Sequence, residues 1–418
     1  MPSTVMPAEA SGPSVWPAAG VSRVPYRVYT DPQLYAAEQE RLFRGAIWQF
    51  VGFAVEVPRV GDFKTTWIGD TPVILVRSGP DEFSAFVNRC AHRGAVLCFE
   101  PSGHRQQFTC VYHNWGYSLQ GDLKSVAFQR GIRGAGGMPD DFDRSQHNLR
   151  KLRVQVLSGL VFASFSETVA PLEEYLGERM TAHVKRMFAR PVKVLGSYSQ
   201  VLHNNWKLYM ENVKDSYHAS LLHLFLTTFK LNRLSMEGGL ALDESGGHHI
   251  SFSKMATDTV GGTDYESGKL RAQDDDFSLR DPRVLRSWPE FSDGITHAIQ
   301  GLFPNMVVQQ IQNSLAVRVL VPRGVGECEL FWTLFGYEDD TPEQLRTRLR
   351  LANLIGPAGL VSMEDGIVGN FVQRAIGERP MDQTILEMGG RTVESQDTRI
   401  SEASVRGFWQ CYRQHMGL

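Results

Sequence analysis

The segment CAHRGAVLCFEPSGHRQQFTCVYH, residues 90–113, carries two Cys-His pairs in the pattern C-x-H-x17-C-x2-H. Structural zinc sites usually take like ligands from each knuckle, whereas here each short stretch offers one thiolate and one imidazole. A [2Fe–2S] cluster with two thiolates on one iron and two imidazoles on the other needs such mixed donation from two loops that meet. Cys90, His92, Cys110 and His113 are therefore expected to bind [2Fe–2S], with zinc or a purely structural role as the competing readings. Cys98 reads as a small buried side chain rather than a ligand.

The surroundings of this segment are strand-like. From Ile47 to about Phe165, short β-branched and aromatic runs (FKTTWIG, PVILVRS, FSAFVN, QVLSGLVFASF) alternate with Gly, Pro and Asp turns, which predicts a small antiparallel β domain over 46–165. Upstream, DPQLYAAEQERLFRG (31–45) predicts a helix in a lead-in over 23–45 that packs on the C-terminal domain. Residues 1–22, rich in Pro, Ala, Ser and Gly, are expected to be a disordered tail. Residues 166–418 mix helical patterns with strands such as MVVQQIQNSLAVRVLVP and CELFWTLFGY, so an α+β domain around an antiparallel sheet is expected.

Composition narrows the function classes. A chain of 418 residues exceeds the size of one hydrophobic core, so two domains are expected. Forty-three basic and forty-six acidic side chains leave a net charge of −3, which offers no long-range attraction to nucleic acid or an anionic membrane. Five scattered cysteines fit a reducing compartment. The N-terminus lacks the pattern of a signal peptide, and the apolar runs fall short of the ~20 residues of a membrane span, so a cytoplasmic location is expected. RGIRGAGGMPDD (130–141) lacks the full G-x-G-x-x-G spacing, which makes it a turn rather than a dinucleotide loop. Reducing equivalents from a nicotinamide would have to arrive through another protein.

A second metal site is suggested by ENVKDSYHASLLH, where His218 and His223 are five residues apart and Asp215 precedes them. Residues five apart on a regular helix diverge by about 140°, so joint ligation predicts a helix end or a π-bulge there. Two imidazoles plus one carboxylate are the facial set of non-haem Fe(II) oxygenases. His248 and His249, in GGHHIS, have no such partners and are expected to be surface or hydrogen-bonded residues.

CAHRG and CVYHNWGYSLQGDL resemble the Rieske loops of aromatic-ring-hydroxylating oxygenases. Respiratory Rieske proteins are less similar, because they carry an extra cysteine in each loop where this chain has Gly94, Ala95 and Val111. The resemblance runs from Val24 to Leu418 and implies a helix-grip (START-like) catalytic domain. It implies Asp365, in GPAGLVSMEDGIVGNFVQ, as the third iron ligand ahead of its neighbour Glu364. It further implies that Asp215 bridges the metals of adjacent subunits, accepting from His113 of one chain and His218 of the other. The implied assembly is a homotrimer or α3β3, with a small β subunit and a reductase that delivers electrons from NAD(P)H.

Within the family, LDESGGHH, QQIQNSLAVR and EASVRGFW resemble the branch that acts on aromatic carboxylates, which implies a buried cation in the pocket. Alternation along SLAVRVLVP places Gln310, Gln312, Ser314 and Arg318 on one face, with Ile311, Leu315, Val317 and Val319 on the other. Arg399, ahead of a helix start expected at Ser401, is the second candidate, and Arg406 its alternative. Two arginines suit a para-dicarboxylate, so the expected reaction is dihydroxylation of terephthalate to a cis-dihydrodiol. Anthranilate or salicylate is the alternative substrate, and a non-catalytic Rieske electron carrier is the alternative of a different class.

Overall fold

The computed structural model describes residues 16–254, 278–379 and 382–418. Its N-terminal half is built from β1 (Gln49–Phe53), β2 (Asp62–Ile68), β3 (Thr71–Arg77), β4 (Phe83–Val87), β5 (Ser102–His104), β6 (Phe108–Thr109), β7 (Gly116–Tyr117), β8 (Leu123–Ser125), β9 (Lys151–Leu157) and β10 (Leu160–Ser164). Seven of these form an antiparallel sheet in the order β1-β10-β9-β4-β3-β2-β5, and β6-β7-β8 form a small second sheet. Phe63, Ile74, Phe86, Phe108 and Tyr117 pack between the two sheets and fix the loops that leave them.

The C-terminal half holds β11 (Val192–Leu202), β12 (Gly238–Leu242), β13 (His249–Lys254), β14 (Ile295–Leu302), β15 (Met306–Ile311), β16 (Ser314–Gly324) and β17 (Glu327–Tyr337). They form one antiparallel sheet in the order β11-β17-β16-β15-β14-β13-β12. The helices Trp206–Lys214, Leu360–Ile376 and Ala403–Met416 pack against it, as the expected α+β architecture requires. The Leu360–Ile376 helix approaches β11 closely because small residues face it. A Cβ on Gly369 would lie 2.7 Å from Asn204 Nδ2 and one on Gly366 3.0 Å from Leu202, so larger residues there would push Asp365 away.

The lead-in is stitched to this half through Glu38. That buried carboxylate accepts from Lys207 Nζ (2.6 Å), Trp206 Nε1 (2.8 Å) and the Tyr412 hydroxyl (2.6 Å). The expected helix over 31–45 is regular only at Pro32–Glu38, capped by Asp31, and continues as a π-helical turn at Gln39–Phe43. The disordered tail expected over 1–22 does not extend through residues 16–22. Residues 1–15 lie outside the described residues, but Trp16 is buried and its ring stands 5.5 Å from that of Trp409, because an indole of this size gains more from the core than from solvent.

The strand reading around Arg318 also needs correction. MVVQQIQNSLAVRVLVP is not one strand but a hairpin, turning at Gln312 (φ 53°) and Asn313. The turn resets the alternation, so Arg318, Ser314 and Ala316 share a face with Val307, Gln309 and Ile311. Gln310 lies on the opposite face, where Arg186 donates to it, and Gln312 sits in the turn.

Candidate functional site

The two Cys-His stretches form loops of matching construction. Gly94 N donates to Cys90 O and Asn114 N to Cys110 O, both at 3.0 Å, while Cys90 N and Cys110 N donate to Ala95 O and Trp115 O. Gly94 (φ 75°) and Asn114 (φ 53°) occupy the equivalent left-handed position, which favours these two residue types. Cys90 and Cys110 are buried, His92 is exposed and His113 is half-buried, with imidazole centroids 4.6 Å apart. Thiols inward and imidazoles outward are the donor arrangement a [2Fe–2S] cluster with mixed ligation needs. Trp115 stacks on the His92 ring at 4.7 Å, and the Tyr117 hydroxyl lies 3.2 Å from Cys90 Sγ. Cys98 is buried apart from the pairs, its carbonyl bound by Asn88.

The second site forms where the Trp206–Lys214 helix stops. Asn205 caps its start, and at its end Asp215 leaves the helical conformation and accepts from Tyr217 N (2.8 Å) and His218 N (3.3 Å). His218 begins the short Ala219–Leu222 helix, and His223 breaks it from Leu224–Thr228 with φ −84° and ψ 77°. The expected distortion is thus a helix interruption rather than a π-bulge, and it turns both imidazoles toward Asp365. His218 Nε2 and His223 Nε2 lie 3.5 and 3.2 Å from Asp365 Oδ1.

Each imidazole has a second carboxylate behind it. His218 Nδ1 is 3.4 Å from Asp215 Oδ2, and His223 Nδ1 is 2.7 Å from Glu364 Oε2. Glu364, weighed as a ligand from sequence, therefore lies on the outer side of His223. Asn212, which sequence reasoning missed, donates to Asp365 Oδ1 (3.2 Å) and lies 3.4 Å from His218 Nε2. Burial opposes charge on all three inner groups. Asp215 and Asp365 nevertheless lift His218 to about 10, and the imidazoles hold the Asp365 carboxyl well below its ordinary range. A metal ion would have to displace the imidazole protons on binding. One ligand atom each from His218, His223 and Asp365 lie within 4.8 Å of one another, and two nitrogens with one oxygen suit Fe(II) with positions left open.

A cavity of about 700 Å³, its mouth included, adjoins these residues. Arg318 and Arg399 both line it and both are buried. Arg318 donates to the Tyr209 hydroxyl (3.0 Å) and stands over the Trp332 ring at 4.8 Å. Arg318 Nε, Trp332 Nε1 and Gln309 Nε2 are buried with no hydrogen-bond partner among the described residues. Arg399 donates to Asn232 Oδ1 (2.6 Å) and the Arg233 carbonyl. It is not held at a helix end, since that helix starts at Ala403, two residues beyond the expected Ser401. Arg406 points elsewhere, to the carbonyls of Leu386, Met388 and Thr392. His248 and His249 are not at the surface. Both are buried, accepting from Phe303 N and Gly301 N.

Paired Cys-His loops on one domain and a two-histidine, one-aspartate cluster on the other are the donor sets expected of a Rieske non-haem iron oxygenase, and the chain belongs to that family. Residues 47–134 match the Rieske [2Fe-2S] domain and residues 188–418 the ring hydroxylating alpha subunit (catalytic domain). The chain is 51% identical to the terephthalate 1,2-dioxygenase terminal oxygenase component subunit alpha 2 of a Comamonas species, over 96% of this chain and 97% of that one. It is 46% identical to the anthranilate 1,2-dioxygenase large subunit of Burkholderia cepacia, over 95% and 94% of the two chains. The large oxygenase component of salicylate 5-hydroxylase from a Ralstonia species is 41% identical, over 96% of each. The fold of the present chain is similar to that of naphthalene 1,2-dioxygenase from a Rhodococcus species bound to indole, with TM-score 0.78 and 22% identity over 94% of each chain. The protein is an oxidoreductase whose cofactors are a [2Fe–2S] cluster and non-haem iron, and enzymes of this family draw electrons from NAD(P)H through a reductase. A catalytic domain of this kind sets aside the electron-carrier alternative. Among the described residues no helix is long and apolar enough to cross a membrane.

Proposed function

We propose that this chain dihydroxylates terephthalate at adjacent ring carbons to a cis-dihydrodiol. The observation that carries this reading is the pair of buried arginines, Arg318 and Arg399, in the same cavity as His218, His223 and Asp365. A carboxylate in a dry pocket costs several kcal/mol unless it meets a cation or donors. Arg318 offers its guanidinium together with the unpartnered N–H groups of Trp332 and Gln309. Arg399 has its Nε against Gly238, which pairs with Ser253 across β12 and β13. β12 is four strand steps from the β16 of Arg318, about 19 Å across the sheet, and both arginines line the one cavity between them, which leaves room for a ring with a carboxylate at each end.

His218, His223 and Asp365 are the proposed iron ligands, and Cys90, His92, Cys110 and His113 those of the cluster. When bound, the cluster supplies single electrons and the mononuclear iron activates O2 for addition to the ring. Asp215 and Glu364 keep protons on the Nδ1 atoms of His218 and His223, which frees Nε2 for the metal. Leu226, Val361, Ile299 and Ile311 give the cavity apolar walls that exclude water from the reacting ring.

The proposed assembly is a trimer in which His113 of one subunit approaches Asp215 of the next, with a small β subunit and a separate cytoplasmic reductase. The exposure of His92 and the partial exposure of His113 and Asp215 support an approach from outside the chain. The substrate reading is tested by kcat/KM of the reconstituted system. Terephthalate should exceed anthranilate and salicylate, and Arg318→Leu or Arg399→Leu should lower its value about thirty-fold or more. Preference for either ortho-substituted acid would replace the dicarboxylate reading.

A further inference from the structure

Register across β13 and β14 pairs Ser253 with His297, and both side chains line the cavity. They share the face that carries Ile299, Gln309, Arg318 and Trp332, since Ile299 pairs with Gln309 and Arg318 with Trp332. Both are nine-tenths buried or more. Neither Ser253 Oγ nor His297 Nε2 has a hydrogen-bond partner among the described residues. A buried donor left unmatched costs about as much as a lost hydrogen bond, so a pair of them beside Arg399 in a cavity marks a place where a ligand completes the set.

The imidazole is arranged as a donor. The Thr296 hydroxyl lies 3.1 Å from His297 Nδ1, and a hydroxyl donating there leaves the ring proton on Nε2, facing the cavity. Burial, reinforced by Arg399, keeps the ring neutral by lowering it to about 3. The carboxylates that line the cavity, Asp215 and Asp365, belong to the metal end, so no anion in that lining competes for these donors.

We propose that His297 and Ser253 are specificity-determining residues that complete a second carboxylate subsite beside Arg399, donating from Nε2–H and Oγ–H to the carboxylate remote from Arg318. The inference rests on the dicarboxylate reading above and assigns the preference for two carboxylates over one to these side chains together with Arg399.

The test compares terephthalate with benzoate, a ring with one carboxylate, in the reconstituted holoenzyme. Ser253→Ala and His297→Leu should each lower the terephthalate-to-benzoate ratio of kcat/KM about ten-fold or more. His297→Gln, which restores an N–H donor, should recover most of that loss, and Arg318→Leu should depress both substrates together. An unchanged ratio in both Ser253→Ala and His297→Leu, with terephthalate still turned over, overturns the subsite and leaves the substrate reading standing. A wild type that does not turn over terephthalate overturns both. If His297→Leu fails to fold, Ser253→Ala, which removes one oxygen, decides alone.

Discussion

Glu364 Oε2 lies 2.7 Å from Nδ1 of His223, on the side of the ring away from Asp365. On the proposed ligand set, adjacent residues on one helix thus take opposite roles, Asp365 facing the metal position and Glu364 orienting His223. Outer partners of this kind typically account for 10–100-fold in metal affinity. Glu364→Ala should therefore weaken binding of Fe(II), or of Co(II) as a probe, by about that factor in titrations of metal-depleted protein. Asp365→Ala should remove the mononuclear site and leave two irons per chain instead of three.

Tyr117 bears on the other metal site. Its hydroxyl is 3.2 Å from Cys90 Sγ, and on the proposed ligand set a hydrogen bond to that sulfur would favour the reduced cluster. Tyr117→Phe should lower the cluster's potential by about 40 mV, the equivalent of about 1 kcal/mol for one electron. Redox titration followed by EPR reads this directly, and the Rieske signal itself should persist.

In the proposed assembly Asp215 stands between ligands rather than among them. Asp215→Ala should retain both metal centres yet leave the reduced cluster unable to reoxidise when terephthalate and O2 are added. Normal single-turnover reoxidation would remove the carboxylate from the electron path.

Acid should destabilise the fold through histidines that are not ligands. Burial is the main reason that His183 and His297 are lowered to about 3, with Arg186 and Arg399 adding to it. The unfolded chain takes up these protons near pH 6.5 while the folded chain does not. Stability present above that pH is therefore lost below it, at about 1.4 kcal/mol per histidine per pH unit. The melting temperature should fall from pH 7 to pH 5, less steeply in His183→Leu.

The cofactor set was the part of this molecule most legible in sequence, because thiolate and imidazole spacings within a loop survive any arrangement of the surrounding strands. The interruption at His218–His223 was legible for the same reason, as a regular helix cannot aim both rings at one point. The hairpin before Arg318 was not. Asn313 favours turns, but a single such residue within a strand-like run is a weak signal, and the turn is fixed by contacts of Asn313 with Trp288 and Glu290, far away in sequence. Reading through that turn put Gln310 on the Arg318 face in place of Gln309. Ser253 and His297 were equally hidden, since an unmatched donor becomes visible only once strand pairing and burial are known.

In the proposed reaction an iron held by His218, His223 and Asp365 acts on a dicarboxylate lodged between Arg318 and Arg399. One measurement addresses it most directly: a single turnover of the reduced holoenzyme with terephthalate under isotopically heavy O2, with the product resolved by mass spectrometry. A cis-dihydrodiol carrying both heavy atoms is expected, formed by wild type and not by Asp365→Ala. A product with one heavy atom, or no product from terephthalate alongside turnover of anthranilate, would contradict it.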